Sequence, residues 1–173
     1  MGRCVNALKE WTGKASATII YDSTVDEFTD QGLFDKVQGK ENIALVAFTA
    51  DGDVFGGFYT VAVTQQCEWQ AFYDPNMFIF SFESHRRCNT PQRFVVKKEM
   101  RRKKFVKFFK NDYDGRFVNV GGYDGQFLLG NERSNVCCYG LSMSFVGIED
   151  TTLTGKPNWG KFTCTRIIAV HLQ

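Results

Sequence analysis

The densest concentration of reactive side chains lies in the segment 97–110. There Lys97, Lys98, Arg101, Arg102, Lys103, Lys104, Lys107 and Lys110 stand against a single acid, Glu99. Eight cations and one carboxylate give +7, and because the whole chain carries +2, the remaining residues sum to −5. Charge is therefore concentrated, not spread. A run of this kind can neutralise phosphates and release their counterions, which makes nucleic acid or an anionic lipid surface its natural partner. The interleaved Phe105, Phe108 and Phe109 can anchor the run in a core or stack on unpaired bases. A solvated hairpin or helix face with its aromatic side chains turned inward explains the same pattern. Arg101, Arg102, Lys103 and Lys104 are expected at the exposed tip or outer face, because burying several unpaired cations is prohibitive. At least one of the three phenylalanines belongs in the core. Arg86, Arg87 and Arg93 extend the patch if the intervening chain folds back, and a basic run can also direct nuclear import.

Nucleophilic chemistry finds little support. A Ser or Cys nucleophile needs a base within hydrogen-bond reach, and His85 and His171 are the only histidines. Gly140-Leu141-Ser142-Met143-Ser144 lacks the second glycine of a nucleophile elbow, and neither a zinc-binding His-Glu-x-x-His nor a phosphate loop with its lysine occurs. Asp51-Gly52-Asp53 resembles the start of a calcium loop, but Phe55 occupies the place of the next oxygen ligand, so a hairpin turn is expected. His85-Arg86-Arg87-Cys88 reads as a cationic loop with no metal. Cys137-Cys138 would be reactive if Arg133 stabilised a thiolate; buried, inert thiols in a strand are the expectation. No catalytic residue, metal or cofactor is assigned.

The elements that must position the basic run are short strands. The chain has 173 residues, 43% hydrophobic and 15% aromatic, with 17 phenylalanines, enough for one domain over residues 1–173 with sheet as its main component. Leu8 and Trp11 share a helical face, so a leading helix is expected at about 3–12, packed on the body. Ala17 to Tyr21 is a strand. Ser23 or Asp26 caps a helix running to about Gln38, and Gly39 stops it. Ile43 to Phe48 and Val54 to Val63 flank Asp51-Gly52 as a hairpin with a two-residue turn. Met77 to Phe82, Phe117 to Val120, Gln126 to Leu129 and Phe162 to Leu172 supply further strands, with Gly121 to Gly125 as a glycine-rich connection. The six scattered cysteines are expected reduced, and the absence of a long apolar stretch leads us to expect a soluble, cytoplasmic protein with access to the nucleus.

Taken in order, Ile19-Ile20-Tyr21-Asp22-Ser23, Ile43 to Phe48, Asp51-Gly52, Val54-Phe55-Gly56-Gly57, Phe78-Ile79-Phe80-Ser81-Phe82, Gly121-Gly122 and Phe127-Leu128-Leu129 resemble the TLDc domain family. Ile167 to Leu172 is similar to the family's closing strand, with Ala169 and His171 where the family usually carries Glu and an aromatic residue. The resemblance implies an α+β fold, a two-sheet antiparallel β-sandwich flanked by short helices. It implies no enzyme activity, but an interaction domain linked to oxidative-stress response and to binding the vacuolar-type proton ATPase. The alternative of another class is a regulatory DNA- or RNA-binding protein that grips phosphates with the segment 97–110.

Overall fold

The computed structural model describes residues 2–67, 69–110, 113–132 and 136–173, apart from the side chain of Tyr113. Helix α1 (Gly2–Thr12) leads into strand β1 (Ala17–Asp22) and helix α2 (Asp30–Val37). The hairpin β2 (Ile43–Thr49) and β3 (Val54–Tyr59) follows, then β4 (Phe72–Tyr73), β5 (Phe78–Glu83) and β6 (Gln92–Val95). A 3₁₀ turn, Lys98–Lys103, connects to β7 (Phe105–Phe108), β8 (Arg116–Val120), β9 (Gln126–Gly130) and β10 (Val136–Tyr139). Helix α3 (Leu141–Ser144), β11 (Lys161–Phe162) and β12 (Cys164–Leu172) close the fold.

Two antiparallel sheets result, in the order β1-β12-β2-β3-β5-β6 and β11-β10-β9-β8-β7-β4. Their inner faces share one core, in which Phe55 meets Phe127 and Phe162 edge to face at 5.3 and 5.4 Å. Each fully buried phenylalanine adds roughly 1.5–3 kcal/mol of transfer free energy. The outer face of the first sheet carries a second apolar cluster that includes Val46, Phe58, Phe80 and Ile168. Helix α1 covers it through buried Leu8 and through Trp11, whose ring lies 5.8–6.1 Å from those of Phe78, Phe80 and Phe82. The expected face of the leading helix is thus the one that packs.

Phe55-Gly56-Gly57-Phe58 marks the closest approach of the layers. A Cβ on Gly57 would lie 2.7 Å from Val120 Cγ1 across the core, and one on Gly56 would lie 1.9 Å from the Leu45 carbonyl oxygen. Side chains alternate across a strand, so each glycine relieves crowding on its own face.

Three boundaries differ from expectation. Ser23 and Asp26 do not cap α2: Ser23 Oγ accepts from Ile167 N (3.0 Å), and Asp26 accepts from Asp22 N (2.9 Å) and pairs with Lys36. Both stitch the end of β1, and Thr29 caps the shorter helix by accepting from Gly32 N at 3.0 Å. Strand β3 stops at Tyr59, short of Val63, because Thr60 gives its N–H and hydroxyl to the buried carboxylate of Asp74. The β2–β3 loop has three residues, Ala50 to Gly52, closed by Thr49 N to Asp53 O and Gly52 N to Thr49 O, each 3.0 Å. Gly52 occupies the left-handed region at φ +88°, as the last residue of such a loop requires.

Candidate interaction site

The basic segment crosses from the edge of one sheet to the other. Lys97 follows β6, its backbone N–H donating to Ser144 O (2.8 Å) and its Nζ to Ser142 O (2.7 Å). The 3₁₀ turn then projects Lys98, Arg101, Arg102 and Lys103 into solvent, while Met100 packs against the core. Lys103 pairs with Asp124 at 3.4 Å, both exposed enough for the pair to add little. Arg101 and Arg93 line one cavity of about 300 Å³ with Trp11 and Pro75, so Arg93 does join the turn. Arg87 does not. Lys110 is exposed at the far end of the segment.

Lys104 departs from the expected exposure: its side chain is fully buried. Its Nζ donates to Ser144 Oγ at 2.7 Å and to Gly125 O at 3.2 Å, and lies 5.5 Å from the Phe145 ring centroid. Two oxygen acceptors and an aromatic face stand in for water, which is how a single cation is tolerated where several unpaired ones would not be. Burial lowers its pKa to about 8; Asp124 opposes the shift and Lys103 adds to it. Gly125, at φ +147°, makes this contact possible, since a Cβ there would sit 2.3 Å from Ser144 Oγ. The glycine-rich connection between β8 and β9 is thus fastened to α3 and to the root of the basic turn.

The aromatic residues of the run are all buried, with Phe105 at 2%, Phe108 at 1% and Phe109 at 6% exposure. None is available to stack on a base by itself. Phe108 faces the core between the sheets, 5.6 Å from Phe34. Lys107, buried to 6%, lies on the opposite face of β7, where its Nζ donates to Tyr123 Oη (3.1 Å) and lies 5.4–5.7 Å from the rings of Phe105, Phe109 and Tyr123. Of the eight candidate cations, Lys98, Arg101, Arg102, Lys103 and Lys110 are exposed, Lys97 is partly covered, and Lys104 and Lys107 are withdrawn.

The other chemical candidates are also placed. All six cysteines are unbridged. Burial raises the pKa of Cys137 and Cys138 in β10, and that of Cys164 to about 12, which favours the inert thiol. Arg133, the cation considered beside Cys137-Cys138, lies outside the described residues. Asp51-Gly52-Asp53 and His85-Arg86-Arg87-Cys88, read separately in sequence, meet in space: His85 Nε2 is 2.8 Å from Asp51 O, and Arg87 pairs with buried Asp53. Among the described residues no group of three or more His, Cys, Asp or Glu is placed to hold a metal ion, and no helix is long and apolar enough to cross a membrane.

Two six-stranded antiparallel sheets, a few short helices and a cationic turn at the junction of the layers define an α+β sandwich domain. The chain belongs to the TLDc domain family, whose model matches residues 4–160 of the 173. The match runs from α1 to the loop before β11 and stops short of β12. No curated protein matches the chain.

Proposed function

We propose that this TLDc domain acts without turnover as an intracellular interaction module of the oxidative-stress response. Its partner is a protein, and the family resemblance suggests the vacuolar-type proton ATPase. The observation that carries this reading is the 3₁₀ turn, where Lys98, Arg101, Arg102 and Lys103 project from a support fixed by Lys97 and Lys104. A cluster of guanidinium and ammonium groups on an anchored turn suits an acidic protein surface, with Arg forking onto carboxylates. The ends of the turn are already held by Lys97 and Lys104, so docking orders the exposed side chains and not the chain that carries them. The module works in the cytoplasm, and the same basic run suits nuclear import.

Immobilised domain exposed to the purified cytoplasmic sector of the ATPase, at low and near-physiological salt, tests this reading. Wild type binds at both, and replacing the four exposed cations by Ser weakens binding at least tenfold. Absence of binding, together with a hydrolytic or redox turnover that a single substitution abolishes, overturns it.

A further inference from the structure

The outer face of the second sheet carries polar side chains where they are least expected to be buried. Lys107 and Asn119 are paired across β7 and β8, Gln126 lies on neighbouring β9, and all three are 3–6% exposed. They form the floor of a cavity of about 400 Å³, within the usual range for ligand pockets. Its rim is aromatic and faces water, with Trp69 at 87%, Tyr123 at 68% and Trp159 at 57% exposure. Trp159 is held at φ +64°, a costly conformation for so bulky a residue, by an N–H bond to Cys138 O (3.0 Å) and by stacking on Tyr139 with centroids 4.2 Å apart.

The lining is cationic. Lys107 and Arg116 both contribute; Arg116 Nη2 also reaches the exposed carboxylate of Asp114 at 3.7 Å, and its Nε is buried without a hydrogen-bond partner. Asn119 Nδ2 donates to Gln126 Oε1 at 2.5 Å, which leaves the Gln126 amide nitrogen to donate to a ligand. A second depression of about 530 Å³ shares Trp69, Lys107 and Tyr123 with the first and continues to exposed Tyr73 over β4. The combined groove crosses the strands from β10 to β4, roughly 19 Å at about 4.8 Å per strand. Tyr123 adjoins Asp124, the partner of Lys103, so one side of the groove opens beside the cationic turn.

We propose that this face binds single-stranded nucleic acid, with unpaired bases stacked on Trp69, Tyr123 and Trp159 and phosphates held by the Arg116 guanidinium, while Lys107 supports Tyr123 from beneath. Exposed aromatic rings accept any base, cations neutralise the backbone, and a side-chain amide reads a base edge. A duplex hides its base faces and cannot use the rim. Phe105 and Phe109, which sequence suggested as stacking groups, serve as the packed support beneath Lys107. The inference goes beyond the protein-partner reading and uses a different face of the domain.

Tryptophan fluorescence of the intact chain tests it, because Trp69 and Trp159 lie on the groove, whereas Trp11 belongs to α1 and packs on Phe78, Phe80 and Phe82 of the other sheet. Titration with a short oligothymidylate saturates and quenches the signal, and a duplex containing the same strand binds at least tenfold more weakly. Trp69→Ala, at an exposed position, and Tyr123→Ala, checked by thermal denaturation because buried Lys107 donates to the Tyr123 hydroxyl, each weaken binding roughly tenfold or more, as expected for loss of one stacked base. Wild-type affinity in both variants, or equal affinity for duplex, overturns the proposal in favour of electrostatic attraction alone. Thymidine monophosphate binding as tightly as the oligomer overturns it in favour of a free nucleotide. Displacement of the oligomer by a phosphotyrosine peptide of higher affinity overturns it in favour of a protein ligand.

Discussion

Asp53, 1% exposed where the β2–β3 turn closes, is paired with the guanidinium of Arg87. Arg87 also donates from Nε to Thr152 O at 3.0 Å and from Nη2 to Leu153 O at 3.2 Å, so one side chain ties the hairpin to the segment after α3. Arg87→Met strands a buried carboxylate and costs about 3–5 kcal/mol in urea denaturation. Adding Asp53→Asn to that variant restores part of the loss, because the uncompensated charge is gone. A loss of under about 1 kcal/mol for the single change would show that water reaches Asp53.

Lys104 sets an alkaline dependence of stability. Burial lowers its folded pKa to about 8 from the ordinary 10.5. Between these values the unfolded chain binds the proton that the folded chain has released, so stability rises with pH. Below pH 8 both states hold the proton and this contribution is flat. The full span is worth roughly 3 kcal/mol. Relative to Lys104→Met, wild type gains stability by about that amount between pH 8 and 10.5, measured by denaturant titration at each pH. A constant difference across the window would place the amine in water.

The exposed cations are separable from folding. Changing Lys98, Arg101, Arg102 and Lys103 together to Ser alters stability by within about 0.5 kcal/mol per site, since none is buried. Phe108→Ala, by contrast, costs roughly 3–5 kcal/mol, because its ring is enclosed between Phe34 and Tyr59. Thermal denaturation of the two variants side by side checks both. A large loss in the four-cation variant would mean that the turn is structural.

The paired glycines of β3 should respond unequally to Ala. At Gly56 the new methyl meets a backbone oxygen at 1.9 Å, which cannot move without distorting β2, so the loss exceeds the ~1–3 kcal/mol typical of overpacking. At Gly57 the nearest atoms belong to side chains, a Val120 methyl at 2.7 Å and the Phe127 ring at 3.2 Å, which yield more readily than a backbone oxygen, so the loss stays within that range. Equal losses measured by chemical denaturation would remove this distinction.

The β2–β3 hairpin and the leading helix were legible in sequence because each has a local signature, a turn glycine and a helical face, whereas the two-sheet architecture followed from the resemblance to the TLDc family. Strand β7 was not, since its inward Val106 and Phe108 alternate within a run that reads as charge. Lys104 was misplaced for a related reason. Its acceptors, Gly125 and Ser144, lie 21 and 40 residues away, and nothing local announces them. The groove on the second sheet was also hidden, because Trp69, Tyr123 and Trp159 come from three separate connections. The one local signal for Lys107 is its alternation with Val106 and Phe108, which puts it on the other face of β7 from the core between the sheets.

Strands β1 and β12 are antiparallel neighbours, with Ala17 opposite Leu172 and Asp22 opposite Ile168. Ser16 and Gln173 exchange backbone hydrogen bonds of 2.8 and 3.1 Å at that margin. Tension drawn between these two points loads the ladder one rung at a time, as in opening a zipper, instead of shearing many rungs together. Once α1 has peeled from the outer face, the first pair of rungs to part is Ser16–Gln173, and the Asp22–Arg166 ion pair bears load only after the ladder ahead of it has opened. A domain stitched in this way can resist heat through its core and still yield to a modest pull on its ends.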